Sequence, residues 1–283
     1  MCQIIDGAAI AERIRIEIKQ QTMVLKEKTS VVPKLTVILV GDDPSSHIYV
    51  RNKINACIEA GFDSEVIKLP EATKEVQIIS IIHSLNSDHN VHGILVQLPL
   101  PRHINEGNIV ASIDPNKDVD GIHPLNIGRL FLGKPSFIAC TPLGCIKLLE
   151  EYKVKISAKN AVVVGRSNIV GKPMAALLLH KNATVTICHS RTKNLPEITR
   201  EADILVTAIG NPGYVTADMV KEGAVVIDVG INRLSSGKLI GDVDFASVIN
   251  KAAMITPVPK GVGPMTIAML LSNTLKAVCD QNG

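Results

Sequence analysis

Residues 161–173 read Ala161-Val162-Val163-Val164-Gly165-Arg166-Ser167-Asn168-Ile169-Val170-Gly171-Lys172-Pro173. A β-branched apolar run stops at one glycine, and a second glycine opens a helical pattern. This order predicts a buried strand, a tight turn and a helix. Glycines in such a turn let the backbone approach a phosphate, while the helix N-terminus offers N–H donors and a favourable dipole. The spacing is not Gly-x-Gly-x-x-Gly. It is not a P-loop either: five residues separate Gly165 from Gly171, where a P-loop has four, and Pro173 has no hydroxyl for magnesium. Taken alone, the turn fits simple strand–helix packing as well as it fits a phosphate.

Working outward, the same rhythm recurs on both sides. Downstream, apolar strand-like runs stand at residues 183–187, 204–207 and 225–228, with a shorter one at 252–255. Upstream, runs at 35–40, 66–69 and 93–98 alternate with helical patterns near 45–60 and 76–85. Ile10, Ile14 and Ile18 recur every four residues, as on one face of an opening helix. Strands apolar on both faces, separated by helices, predict an α/β protein with parallel sheets. A chain of 283 residues is long enough for two domains. The Pro-, Gly- and Asn-rich stretch 114–142 marks the joint. The expected division is a first domain at 1–139 and a second at 140–264, opened by a helix near 143–152. The last helix, within 265–283, is expected to pack back on the first domain.

Composition narrows the function. Hydrophobic residues make up 46% and charged residues 20%, which is globular. A net charge of +3, with scattered Lys and Arg, gives no nucleic-acid footprint. No uninterrupted apolar run approaches the ~18 residues of a membrane span, and the N-terminus lacks a signal-peptide pattern. The expectation is a cytoplasmic protein with neither nucleic-acid nor membrane partners. Six cysteines form no Cys-x-x-Cys, so free thiols are expected, with Cys140 and Cys145 buried. His89-x-x-His92 has no third ligand nearby and reads as a surface pair rather than a metal site.

The strand after the glycine turn ends Ile187-Cys188-His189-Ser190-Arg191-Thr192-Lys193. An NAD-binding unit places an acid there for the adenosine ribose. Here hydroxyls and cations stand instead, and Arg191, with Arg166 from the first turn, suits the 2′-phosphate of NADP. Gly210-Asn211-Pro212-Gly213 and Gly230-Ile231-Asn232 follow strands at their carboxyl ends, the edge where such sheets bind ligands. In the first domain, Tyr49 and Lys53 share a helix face, Gln97 ends a strand, and Asp118-Val119-Asp120-Gly121 sits in the joint. Each of these also has an ordinary reading as an amphipathic contact, a strand-end cap or a turn.

Together these segments resemble the bifunctional methylenetetrahydrofolate dehydrogenase/cyclohydrolases. The resemblance is carried by Val40-Gly41-Asp42-Asp43-Pro44-Ser45-Ser46, Tyr49-Val50-Arg51-Asn52-Lys53, His92-Gly93-Ile94-Leu95-Val96-Gln97-Leu98-Pro99-Leu100-Pro101, Asp118-Val119-Asp120-Gly121, the 165–173 turn and Pro257-Val258-Pro259-Lys260-Gly261-Val262-Gly263-Pro264-Met265-Thr266. The segments occur in the family's order along nearly the whole chain. The resemblance implies a folate-binding catalytic domain and a Rossmann-type NADP-binding domain with a cleft between them. It implies tetrahydrofolate derivatives as substrates, no metal, and a homodimer. Implied catalytic residues are Lys53, Tyr49, Gln97 and Asp120: Lys53 central to hydrolysis, Tyr49 on the folate's aromatic ring, Gln97 holding Lys53, and Asp120 on the pterin edge. Substrate contacts from Leu98, Pro99, Gly263, Pro264 and Thr266 are implied as well. Cofactor contacts fall on Gly165, Arg166, Ser167, Val170, Gly171, Pro173, Ser190, Arg191, Gly210 and Ile231. One departure stands out: Lys260-Gly261 replaces the family's usual Gly-Gly, and a positive φ there would cost a lysine roughly 1–2 kcal/mol. A monofunctional dehydrogenase, another two-domain NADP oxidoreductase and a non-catalytic binding protein are the alternatives.

Overall fold

The computed structural model describes residues 2–134 and 136–282. In chain order the elements are β1 (Gln3–Ile4), α1 (Gly7–Thr29), β2 (Lys34–Val40), α2 (Pro44–Glu59), β3 (Asp63–Leu69), α3 (Glu75–Ser87) and β4 (Gly93–Val96). There follow α4 (Glu106–Ser112), α5 (Pro124–Phe131), α6 (Cys140–Glu151), β5 (Asn160–Val164), α7 (Gly171–His180), β6 (Thr184–Cys188), α8 (Leu195–Thr199) and β7 (Ile204–Thr207). The chain ends with β8 (Val225–Asp228), β9 (Asn232–Arg233), β10 (Leu239–Ile240), α9 (Phe245–Val248), β11 (Met254–Ile255) and α10 (Val262–Asn282). Two compact units result. One joins Arg13–Cys140 to the chain from Ile267 onward; the other joins the residues up to Glu12 to Thr141–Thr266.

The first of these holds a parallel three-stranded sheet in the order β3-β2-β4. Its central strand is buried from Leu35 to Val40, with a strand paired on each side of it. The chain leaves β2 for β3 and then crosses to β4 on the other side, so a switch point lies between β2 and β4. Ile38, Ile78, Ile82, Ile94 and Ile109 are fully buried in one core cluster. Burying each such side chain stabilises the fold by roughly 1.5–3 kcal/mol.

The other unit holds six parallel strands in the order β1-β11-β8-β7-β5-β6. Strand β6 lies on one side of β5, and β7, β8 and β11 on the other, so the order reverses between β5 and β7. The opening residues depart from the expected boundaries: β1 pairs with β11, Gln3 facing Met254 and Ile4 facing Ile255. Residues up to Glu12 therefore group with the six-stranded unit, not with the residues that follow them. The expected joint at 114–142 is partly regular, carrying α5, and its residues up to Cys140 group with the three-stranded unit. By length and composition α10 alone among the described residues would suffice to cross a bilayer, but most of it is buried within the protein, as in a core helix.

Candidate active site

In the three-stranded unit, β2 runs out at Gly41 and α2 begins three residues later. Asp43 caps α2, its carboxylate accepting the Ser46 amide at 2.7 Å. One turn apart on this helix stand Tyr49, 40% exposed, and the half-buried Lys53. Gln97 follows β4 directly and is buried. Lys53 Nζ donates to Gln97 Oε1 at 3.0 Å, and Gln97 Nε2 donates to the Leu98 carbonyl at 2.7 Å. With its own amide held by the Ile38 carbonyl at 2.9 Å, Gln97 is fixed at both ends, with its oxygen toward the lysine. Leu98 is half-buried and Pro99 exposed beside it.

The Asp118–Gly121 segment divides its labour. Asp118 is 1% exposed and accepts from the Gly121, Ile122 and His123 amides at 3.1, 3.3 and 2.8 Å, and from Asn126 Nδ2 at 2.9 Å. Burial pushes its carboxyl up, against the pull of the Asn126 and His123 bonds. Asp118 thus folds the turn that leaves Asp120 half-exposed. Behind Asp120 lies Cys140, buried, with Sγ 3.3 Å from the Val119 carbonyl. Burial raises this thiol well above its ordinary value, and Asp120 adds to the rise. Asn273 of α10 donates to the Val119 and Ile138 carbonyls at 2.9 and 3.0 Å. Cys140 is buried as expected, and Asp118 stands in the motif that the sequence singled out, without the turn-building part found here; sequence reading missed Asn273.

In the six-stranded unit the 165–170 turn leaves β5 at the switch point. Gly165 has φ +133°, and a Cβ on it would lie 2.3 Å from the Ala208 carbonyl oxygen. A Cβ on Gly171 would lie 2.2 Å from the Gly165 carbonyl oxygen. Only glycine fits either position. Ser167 Oγ accepts the Val170 and Gly171 amides at 3.2 and 3.3 Å, closing the turn at the start of α7, while Pro173 is buried within it. Arg166 and Ser167 are exposed. Strand β6 ends level with β5, Cys188 opposite Val164, and the Gly165 amide donates to the Cys188 carbonyl at 2.9 Å. The following turn is built by His189 and Thr192, whose side chains accept the Arg191 and His189 amides at 3.1 and 2.8 Å. Exposed Ser190 and Arg191 therefore leave the same sheet edge as Arg166. Gly210 and Ile231 are exposed beyond β7 and β8. A Cβ on Gly263 would sit 3.5 Å from Ile231 Cδ1, and Thr266 Oγ1 is 2.9 Å from Thr141 Oγ1. Gly263, Pro264 and Thr266 thus group with the nucleotide loops, whereas Tyr49, Lys53, Gln97, Leu98, Pro99 and Asp120 belong to the other unit.

Of the histidine pair, His89 is exposed as expected, and His92 departs from expectation. His92 is 5% exposed, and its Nδ1 accepts the Lys34 amide at 3.1 Å. No group of three or more His, Cys, Asp or Glu suited to a metal gathers among the described residues.

Comparison with known proteins agrees along the whole chain. Residues 5–120 match the model of the tetrahydrofolate dehydrogenase/cyclohydrolase catalytic domain, and residues 139–282 match that of its NAD(P)-binding domain. The bifunctional protein FolD of Streptococcus agalactiae is 57% identical over 277 residues, 98% of each chain. The crystal structure of the bifunctional FolD methylenetetrahydrofolate dehydrogenase/cyclohydrolase of Campylobacter jejuni superposes with a TM-score of 0.97 at 50% identity, covering 99% of both chains. The Trypanosoma brucei methylenetetrahydrofolate dehydrogenase-cyclohydrolase, solved with NADP cofactor and inhibitor, gives 0.95 at 38% identity, covering 99% of this chain and 98% of that one. With the glycine turn, the acid-free end of β6 and the Lys53–Gln97 pair in place, the chain belongs to the tetrahydrofolate dehydrogenase/cyclohydrolase family.

Proposed function

We propose that the chain oxidises 5,10-methylenetetrahydrofolate to the 5,10-methenyl form with NADP⁺ and hydrolyses that product to 10-formyltetrahydrofolate. The observation that carries this reading is the Lys53–Gln97 hydrogen bond at the carboxyl end of β4. NADP⁺, when bound, supplies the hydride acceptor. The 165–171 turn suits its diphosphate, because it joins the carboxyl end of β5 to the N-terminus of α7 and its two glycines allow the close backbone packing that such a turn needs. Arg166, Ser167, Ser190 and Arg191 leave adjacent strand ends and suit the 2′-phosphate, in a stretch without an acid. Val170 and Pro173 shape this turn, and Gly210 and Ile231 edge the same site.

Loss of hydride leaves a cationic methenyl carbon. Water adds to that carbon and loses one proton to a base. The hydroxyl so formed gives up its own proton as the carbonyl forms and the bond to N5 breaks; N5 takes up one proton, and one proton is released overall. The carbon is already electrophilic, so this chemistry calls for a base and not a Lewis acid. Lys53 is the base in this reading. Gln97 holds Nζ in place, accepting from it while its own NH₂ is tied to Leu98. Tyr49 offers a π face to the folate's benzoyl ring, and Asp120 an acceptor to the pterin edge. Leu98, Pro99, Gly263, Pro264 and Thr266 complete the substrate contacts. The family resemblance further supports a soluble, cytoplasmic homodimer; a single-chain mass in solution would overturn the dimer.

The test is a spectroscopic assay with 5,10-methylenetetrahydrofolate, comparing NADP⁺ with NAD⁺ and wild type with Lys53→Ala. The expected outcome is NADP⁺ reduction, with 10-formyltetrahydrofolate formed by the wild type alone. Equal hydrolysis by the variant removes Lys53 from its role. No reduction of either cofactor removes the dehydrogenase reading.

A further inference from the structure

Two carboxylates in the six-stranded unit lie deep in the protein with no part in the chemistry so far. Asp228 ends β8 and is 3% exposed; Asp242 follows β10 and is fully buried. A buried carboxylate costs several kcal/mol unless its lone pairs are occupied, so their partners show what they are for. Asp242 Oδ2 accepts the Ile209 and Gly210 amides at 2.7 and 3.1 Å. Its Oδ1 accepts the Asn211 amide and Asn232 Nδ2, both at 2.9 Å. One carboxylate thus gathers three consecutive amides beyond β7 and a side chain beyond β8. Asp228 holds Asp242 in turn. Its Oδ1 accepts the Asp242 and Gly230 amides, both at 3.0 Å, and Thr207 Oγ1 at 3.2 Å, while its Oδ2 accepts the Val243 amide at 2.9 Å. Packing leaves no slack: a Cβ on Gly230 would lie 2.3 Å from Asp242 Cγ, and one on Gly241 would lie 1.8 Å from Asp228 Oδ2.

We infer that Asp242 is a positioning residue for the cofactor, fixing the 209–211 and 230–232 loops from a single buried carboxylate that Asp228 anchors. The inference rests on the reading of Gly210 and Ile231 as cofactor contacts; both are exposed members of the two loops. Without the carboxylate, three neighbouring amides would point into the protein unpaired, and the loops would turn to find acceptors elsewhere. The carboxylate sets the loops before any ligand arrives, and such preorganisation is read in affinity. Burial raises the Asp228 carboxyl to about 6, which leaves it ionised, and an acceptor for all its donors, under ordinary assay conditions above neutral pH.

The experiment exploits the chain's two reactions, because hydrolysis of the methenyl substrate consumes no NADP⁺ and its residues Lys53, Gln97 and Asp120 belong to the other unit. Asp242→Asn keeps the shape but replaces one acceptor oxygen by an NH₂ that repels backbone amides. The expected result is a KM for NADP⁺ raised at least tenfold, a dehydrogenase kcat within about twofold, and unchanged hydrolysis by the same preparation. Asn232→Ala, which removes only one of the four bonds, should raise the same KM by a few-fold and decides the matter if Asp242→Asn does not fold. A KM for NADP⁺ that stays at the wild-type value overturns the inference. So does parallel loss of both activities with the melting temperature, which marks a merely structural carboxylate. Wild type that fails to use NADP⁺ overturns the cofactor reading itself, and the inference with it.

Discussion

Lys260 carries a φ of 82°, in the left-handed region that costs an L-residue roughly 1–2 kcal/mol. Its carbonyl accepts the Ala8 amide at 2.9 Å at the start of α1, so the backbone there is tied in place. The side chain is exposed. Lys260→Gly removes the strain but gives the unfolded chain more freedom, which takes back about 0.5–1 kcal/mol. The balance favours the variant by about 0.5–1 kcal/mol, or a melting temperature higher by about 1–3 °C. A melting temperature at or below the wild type's would show that this loop relaxes around lysine at no cost. The departure from the usual Gly-Gly was legible in the sequence; the φ that gives it a consequence was not.

At the scale of elements, strands β2, β4, β5, β7 and β8 could be read from the sequence because both their faces are buried, leaving uninterrupted β-branched runs. Strand β1 could not be. It is two residues long and exists only because β11, some 250 residues away, offers a parallel edge. The site divides the same way. Tyr49, Lys53 and Gln97 stand in motifs with local spacing, whereas Asp242 meets its amide partners across 31–33 residues and reads locally as a turn acid. Helix α10 gives the sharpest case. Asn273 lies among fully buried Leu271 and Ala277, 4% exposed itself, and holds the carbonyls of Val119, just before Asp120, and of Ile138, two residues before Cys140. Asn273→Ala strands the Ile138 carbonyl and leaves that of Val119 with the Cys140 thiol alone. The expected loss is about 1–3 kcal/mol in denaturant unfolding, the cost of one group left unsatisfied. A loss under about 1 kcal/mol would mean that the Asp120 turn holds without α10.

For the molecule as a whole, buried ionisable groups set how stability responds to pH, and here they oppose one another. Burial raises Asp118 and Asp228, so both bind protons in the folded state before they do in the unfolded chain, and their ionisation opposes folding near neutrality. His92 works the other way. Burial lowers it from its ordinary 6.5, Lys117 lowers it further, and Asp88 opposes them. Geometry agrees, since Nδ1 must stay unprotonated to accept the Lys34 amide, while the His92 carbonyl takes Gln281 Nε2 of α10 at 3.1 Å. As pH falls below 6.5 the unfolded chain takes up the proton first, so the stability due to neutral His92 is complete above that value and drains away below it. One group supplies at most about 1.4 kcal/mol per pH unit. His92→Gln keeps an acceptor for Lys34 and cannot titrate, and the aspartates act equally in both proteins and cancel in the difference. Melting curves from about pH 7.5 to 5.5 should therefore show the wild type losing ground steadily to His92→Gln below the ordinary imidazole value. Parallel curves would mean that the folded protein accepts the proton as readily as the unfolded chain, and that the Lys34 amide finds another acceptor when it does.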